Sequence, residues 1–221
     1  MEARLTAIDR SELLRYLRWN GGALPAEADA ALERGVRRLT EAARPRVCWR
    51  VFDYRPGEAL GGTDYIPAGA DLPAFLADCD RVILLAATLG AEPDLLQQRL
   101  RLGDMGEAMI LDAAGSAAVE NICDNLCADL AAEFAPRVLT DRFSPGYGDL
   151  PLSEQRWFFR LLDMTRRMGV TLTDSGLMLP QKTVTAFVGV SDRPQRKREG
   201  CGSCSLAEGC SFRREGKRCG K

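Results

Sequence analysis

The 221-residue chain contains no histidine. That absence removes the commonest general base near neutral pH and the commonest zinc ligand. Ser–His and Cys–His nucleophile machinery is excluded outright, and any metal must be held by thiolate or carboxylate. Long apolar runs are also missing. The longest, Arg81 to Gly90 (RVILLAATLG), falls short of the roughly 18 residues needed to span a bilayer and reads as a buried strand. The N-terminus is charged from Glu2 onward and has no apolar stretch before a cleavage site, so no secretory signal is expected. Net charge is almost absent at −1, which gives no overall field for nucleic acid or a membrane surface. The expected location is the cytoplasm, where clustered cysteines serve as metal ligands more often than as disulfides.

Hydropathy patterning predicts interspersed helices and strands. Asp9 and Ser11 cap a short helix ending near Trp19, and Pro25 opens a second that runs to about Ala43. Strands are expected over Val47–Tyr54, Arg81–Thr88 and Lys182–Val190, with helices over Asp71–Cys79, Glu92–Leu102 and Ser153–Arg167. The longest helical pattern, Met105 to Phe134, is crowded with alanine and glycine, yet carries one polar stripe at i, i+4 spacing: Asp112, Ser116, Glu120, Asp124. No regular βαβ rhythm appears, so the class is α+β, with helices against an antiparallel sheet.

Composition changes near residue 192. Residues 192–221 hold nine Lys or Arg against four Asp or Glu, and the last 21 residues carry half of the eight cysteines. The chain therefore divides into a body over 1–191 and a basic linker with a cysteine-rich tail over 192–221. Cys201-x2-Cys204-x5-Cys210-x8-Cys219, with glycines at 200, 202, 209, 216 and 220, has the spacing of a four-thiolate metal site. Spacing alone fits both tetrahedral zinc and an iron–sulfur cluster. Cys48, Cys79, Cys123 and Cys127 read as structural, the last two sharing one helix face.

One loop carries a finer pattern, Arg142-x-x-x-Gly146-Tyr147. By itself it describes a Pro-Gly turn; functionally, a glycine admits close backbone approach and an arginine offers a fork for a carboxylate. The segment RFSPGYGDLPL, then a helix, then LTDSGLMLPQKTVTAFVG, resembles in order and spacing the activation domain of cobalamin-dependent methionine synthase. The resemblance covers roughly residues 80–190. It implies that domain's α+β fold and binding of S-adenosylmethionine, with Arg142, Gly146 and Tyr147 at the cofactor loop and Glu120 as the acidic contact. It implies a cobalamin-binding methionine synthase as partner, with an electron donor such as flavodoxin or ferredoxin. That partner is expected to be a separate chain, because 221 residues leave no room for a corrinoid-binding module. No basic recognition helix or aromatic stacking surface accompanies the tail, so no nucleic-acid partner is expected. The role expected is an accessory in reductive reactivation, which leaves open whether the chain is itself an enzyme. A low-potential electron favours an iron–sulfur cluster in the tail over zinc, which has no redox chemistry. The alternative is an activator or docking protein for another corrinoid protein that does not use S-adenosylmethionine, with a metal-stiffened tail.

Overall fold

A computed structural model describes residues 3, 5, 7–19 and 22–193. The four cysteines expected to hold a metal, Cys201, Cys204, Cys210 and Cys219, lie outside the described residues.

The centre of the body is a four-stranded antiparallel sheet. In spatial order it comprises β1 (Arg46–Asp53), β2 (Arg81–Thr88), β6 (Thr183–Ser191) and the two-residue β3 (Val138–Leu139). An antiparallel sheet commonly leaves one face to water; here both faces are covered. Along β2, Ile83, Leu85 and Ala87 enter one core while Val82, Leu84 and Ala86 enter the other. This is why the strand reads as an unbroken apolar run rather than an alternation. The upper layer packs α1 (Arg10–Tyr16), α2 (Ala26–Ala42), α4 (Glu92–Leu100) and α5 (Met105–Glu133) on the sheet. The lower layer holds α3 (Asp71–Phe75), α6 (Gln155–Leu162) and α7 (Met164–Met168), with Tyr54, Leu60 and Tyr65 from the loops between β1 and α3. The α+β expectation holds.

Starts and stops follow local chemistry. The Asp9 carboxylate accepts from the backbone N–H groups of Ser11 and Glu12, and that of Asp104 from Glu107, satisfying orphan donors at the first turns of α1 and α5. The 29-residue α5 is small on its buried sides because neighbours come close. A Cβ on Gly115 would stand 3.1–3.3 Å from the Lys182 stem, and Ile110 fills the space at Gly35 of α2.

Two helix expectations require correction. The segment expected to be helical from Asp71 to Cys79 is helical only to Phe75, because the chain turns at Leu76–Cys79 to enter β2. The helix expected over Ser153–Arg167 is three pieces: a 3-10 turn at Leu152–Glu154, α6 and α7. Asp163, in the left-handed region at φ 51°, ψ 48°, separates the last two. That kink lets Phe158, Leu162, Met164 and Met168 all reach the lower core, which one straight helix would not. The hairpin β4 (Thr171–Leu172) and β5 (Met178–Leu179) follows.

Candidate functional site

The polar stripe of α5 divides into two ion-paired sets. Near its start, Lys182 Nζ lies 2.9 Å from Asp112 Oδ1 and donates to Ser116 Oγ at 2.9 Å, while Gln97 donates to Asp112 at 2.8 Å. Burial works to raise the Asp112 pKa, but Lys182 and Gln97 overcome it and hold the carboxyl below its ordinary range. One and two turns further on, Arg142 donates from Nη2 to Glu120 at 2.6 Å and from Nη1 to Asp124 at 2.7 Å. The structure thus brings Glu120 and Arg142 together as an ion pair and adds Asp124 as a second carboxylate on the same guanidinium.

The loop that presents Arg142 is fixed at both ends. Phe143 exchanges backbone hydrogen bonds with Phe187 of β6 at 2.9 and 2.8 Å, so Arg142 projects from what is in effect a one-residue strand. Pro145-Gly146 then reverses the chain. Gly146 has φ +94°, a conformation that needs glycine, and its N–H donates to the Leu150 carbonyl at 2.8 Å. Tyr147 stands 57% exposed, with its ring edge against Phe143 at 6.0 Å.

The far end of the loop is clamped to the start of α3. Asp149 accepts from Ala70 N–H at 2.7 Å and Asp71 N–H at 3.0 Å, and its own N–H donates to Asp71 Oδ2 at 3.1 Å. The two backbone donors hold the Asp149 carboxyl below its usual value. Gly148 fits between, with φ +53° and no room for a side chain. A Cβ added at Gly146, or at Gly176 of the β4–β5 hairpin, would meet the Leu152 side chain at 3.8 Å, which places Leu152 between the loop and its neighbour.

Between α5, this loop and β6 lies a cavity of about 550 Å³. Glu120, Asp124 and Arg142 form its charged side; Gln155, Met178 and Thr185 line it as well. Its position follows from the sheet. β3 and Phe143 cover the outer edge of β6 only from residue 187 onward, so Thr183–Thr185 form an open edge there among the described residues. A second hollow of about 470 Å³ also touches Glu120, Asp124, Arg142 and Tyr147 and is closed by Glu12 and Tyr16 of α1. The four residues singled out from sequence therefore cluster on one surface, Gly146 as the hinge of the loop and the others as walls. Met178 and Thr185 lie within the LTDSGLMLPQKTVTAFVG segment without having been singled out, and Gln155 carries no motif.

Cys127, expected to serve only packing, lines the cavity. Burial raises the pKa of its thiol, and burial pushes Cys123 up to about 12, so both stay protonated and non-nucleophilic near neutral pH. Among the described residues no group of three or more Cys, Asp or Glu is placed to hold a metal ion, and no helix is long and apolar enough to cross a membrane.

Residues 129–198 match the family model described as vitamin B12-dependent methionine synthase, activation domain. A search of curated proteins returned no match. Among solved structures, a MetH reactivation domain bound to AdoHcy superposes with a TM-score of 0.60 at 15% identity, covering 98% of this chain and 85% of that one. In fold over nearly its whole length, and in sequence over residues 129–198, the chain is similar to the activation domain of vitamin B12-dependent methionine synthase.

Proposed function

We propose that the chain is an accessory protein for reductive reactivation of a cobalamin-dependent methionine synthase, holding S-adenosylmethionine at the cavity beside Arg142. The observation that carries this reading is the grouping of Arg142 with Glu120 and Asp124 on a cavity wall, within and beside the segment that matches the activation-domain family. The structural relative in complex with AdoHcy, the demethylated form of that cofactor, supports the same ligand class.

The residues fit the ligand's charges. S-adenosylmethionine bears a carboxylate, an ammonium and a sulfonium, a net positive charge, and the cavity wall offers one guanidinium against Glu120, Asp124 and Asp141. Arg142 would bind the carboxylate through donors that Glu120 and Asp124 leave over, a guanidinium having five. Glu120 and Asp124 would face the cationic end. When bound, the cofactor supplies an electrophilic methyl group; the acceptor is a reduced cobalt on a separate corrinoid chain. No side chain here needs to act as nucleophile, in keeping with the absence of histidine and with a Cys127 thiol kept protonated. The work of this chain is to position and to exclude water. The exposed Tyr147 at the mouth would meet the corrinoid partner. The tail cysteines Cys201, Cys204, Cys210 and Cys219 would hold an iron–sulfur cluster, or alternatively zinc.

Arg142 also supports a second reading. It is already paired with both carboxylates, so the cluster holds together without a ligand and would persist in a docking protein for another corrinoid protein that does not use the cofactor. Calorimetric titration of the full chain with S-adenosylmethionine, alone and with a corrinoid-bearing methionine synthase, separates them. Binding that tightens with the partner present is expected. No binding in either condition would leave only the docking reading.

A further inference from the structure

The cavity has an uncharged part that the Arg142 cluster does not explain. Gln155, the first residue of α6, is only 7% exposed and lines the cavity, yet its Oε1 has no hydrogen-bond partner among the described residues. A buried carbonyl of this kind is rare and costly to maintain. The neighbouring polar groups do not need a ligand. Thr183 Oγ1 is bonded to Thr88 Oγ1 and the Pro180 carbonyl, both at 2.8 Å, and Thr140 Oγ1 accepts from Gly189 N–H at 2.9 Å and donates to the Asp141 carbonyl. The same cavity has apolar lining from Met178, Val184 and Pro145.

An acceptor without a donor, on a residue lining a cavity that also has apolar walls, suits a flat heterocycle bearing an N–H. A thioether side chain packs well on such a ring, and a primary amide is well matched to an adenine edge. The charged groups of an S-adenosyl ligand are matched by Arg142, Glu120 and Asp124, which leaves the base for this end. We infer that Gln155 is the residue that reads adenine, its amide turning about χ3 from the buried position so that Oε1 accepts from the 6-amino group of an S-adenosyl ligand. This rests on the cofactor reading given above and adds to it a determinant of base specificity.

The test compares S-adenosylhomocysteine with its analogue carrying purine, without the 6-amino group, by calorimetry on the full chain. Wild type is expected to prefer the adenine compound at least tenfold. Gln155→Met, close in volume and freed of an unpaired buried carbonyl, should fold with an undiminished melting temperature and lose that preference by at least fivefold. Gln155→Glu keeps an acceptor at the same reach and should retain it. A preference that is absent in wild type, or that survives in Gln155→Met, overturns the assignment while leaving the cofactor reading intact. Wild type that binds no S-adenosylhomocysteine overturns both.

Discussion

Replacing Gly148 by alanine tests whether the loop bearing Arg142 is clamped as described. At φ +53° an L side chain costs about 1–2 kcal/mol. The added Cβ would also stand 2.2 Å from Asp71 Oδ2 and 3.0 Å from its Cγ, so Asp71 must swing away. That movement gives up the hydrogen bond Asp71 accepts from Asp149 N–H, worth about 1 kcal/mol net at an exposed position. The expected loss is about 2–3 kcal/mol, or roughly 4–12 °C in melting temperature for a chain of this size. Gly57→Ala is the control, with φ +77° and nothing within 4 Å; it carries the backbone penalty alone. Urea denaturation of both variants isolates the difference, about 1 kcal/mol. The double change Gly148→Ala with Asp71→Ala removes the clash, so it should cost less than the two single changes summed. Equal losses for Gly148→Ala and Gly57→Ala, or strict additivity in the double variant, would refute the clamp.

Other outcomes follow from the site. Arg142→Ala should weaken S-adenosylmethionine binding by about 1.5–3 kcal/mol, as for loss of a charge-assisted contact, and unchanged affinity in a titration would remove Arg142 from the site. Asp149 has a lowered pKa, so its stabilisation is complete above the ordinary value of 3.8 and is lost as pH falls through the lowered value. The stability gap between wild type and Asp149→Asn should therefore be constant from neutral pH down to about 5 and shrink below 3.8; a gap undiminished at about pH 2.5 contradicts the assignment. Protein purified without oxygen should be brown with broad absorbance near roughly 400 nm if the tail holds a cluster. Colourless protein with stoichiometric zinc would exclude electron delivery by the tail.

What was legible in the sequence depended on how local the cause was. β2 was readable to the residue because a strand buried on both faces must be apolar at every position. Glu120 and Asp124 were readable as one face of α5 by their four-residue spacing, and Arg142 by its loop. The break at Asp163 was hidden because residues 153–167 keep a helical hydrophobic period across the kink; only the shape of the lower core demands it. β3, β4 and β5 have two residues each, too few for any period. Gln155 gave no signal, since a glutamine entering a helix normally faces water. Its significance comes from five chain segments meeting at one strand edge, which no window of sequence contains.

The cavity opens where β6 loses its outer neighbour, and its walls come from both sides of the sheet. Cys127 on α5 packs with the upper core, Met178 on β5 with the lower. A ligand seated there is a further fastener between the two half-cores. Mass action then makes occupancy a global stabiliser, about 2.7 kcal/mol at a hundredfold excess over Kd. Amide hydrogen exchange should accordingly slow in α5 and in α6 together, well beyond the loop that touches the ligand.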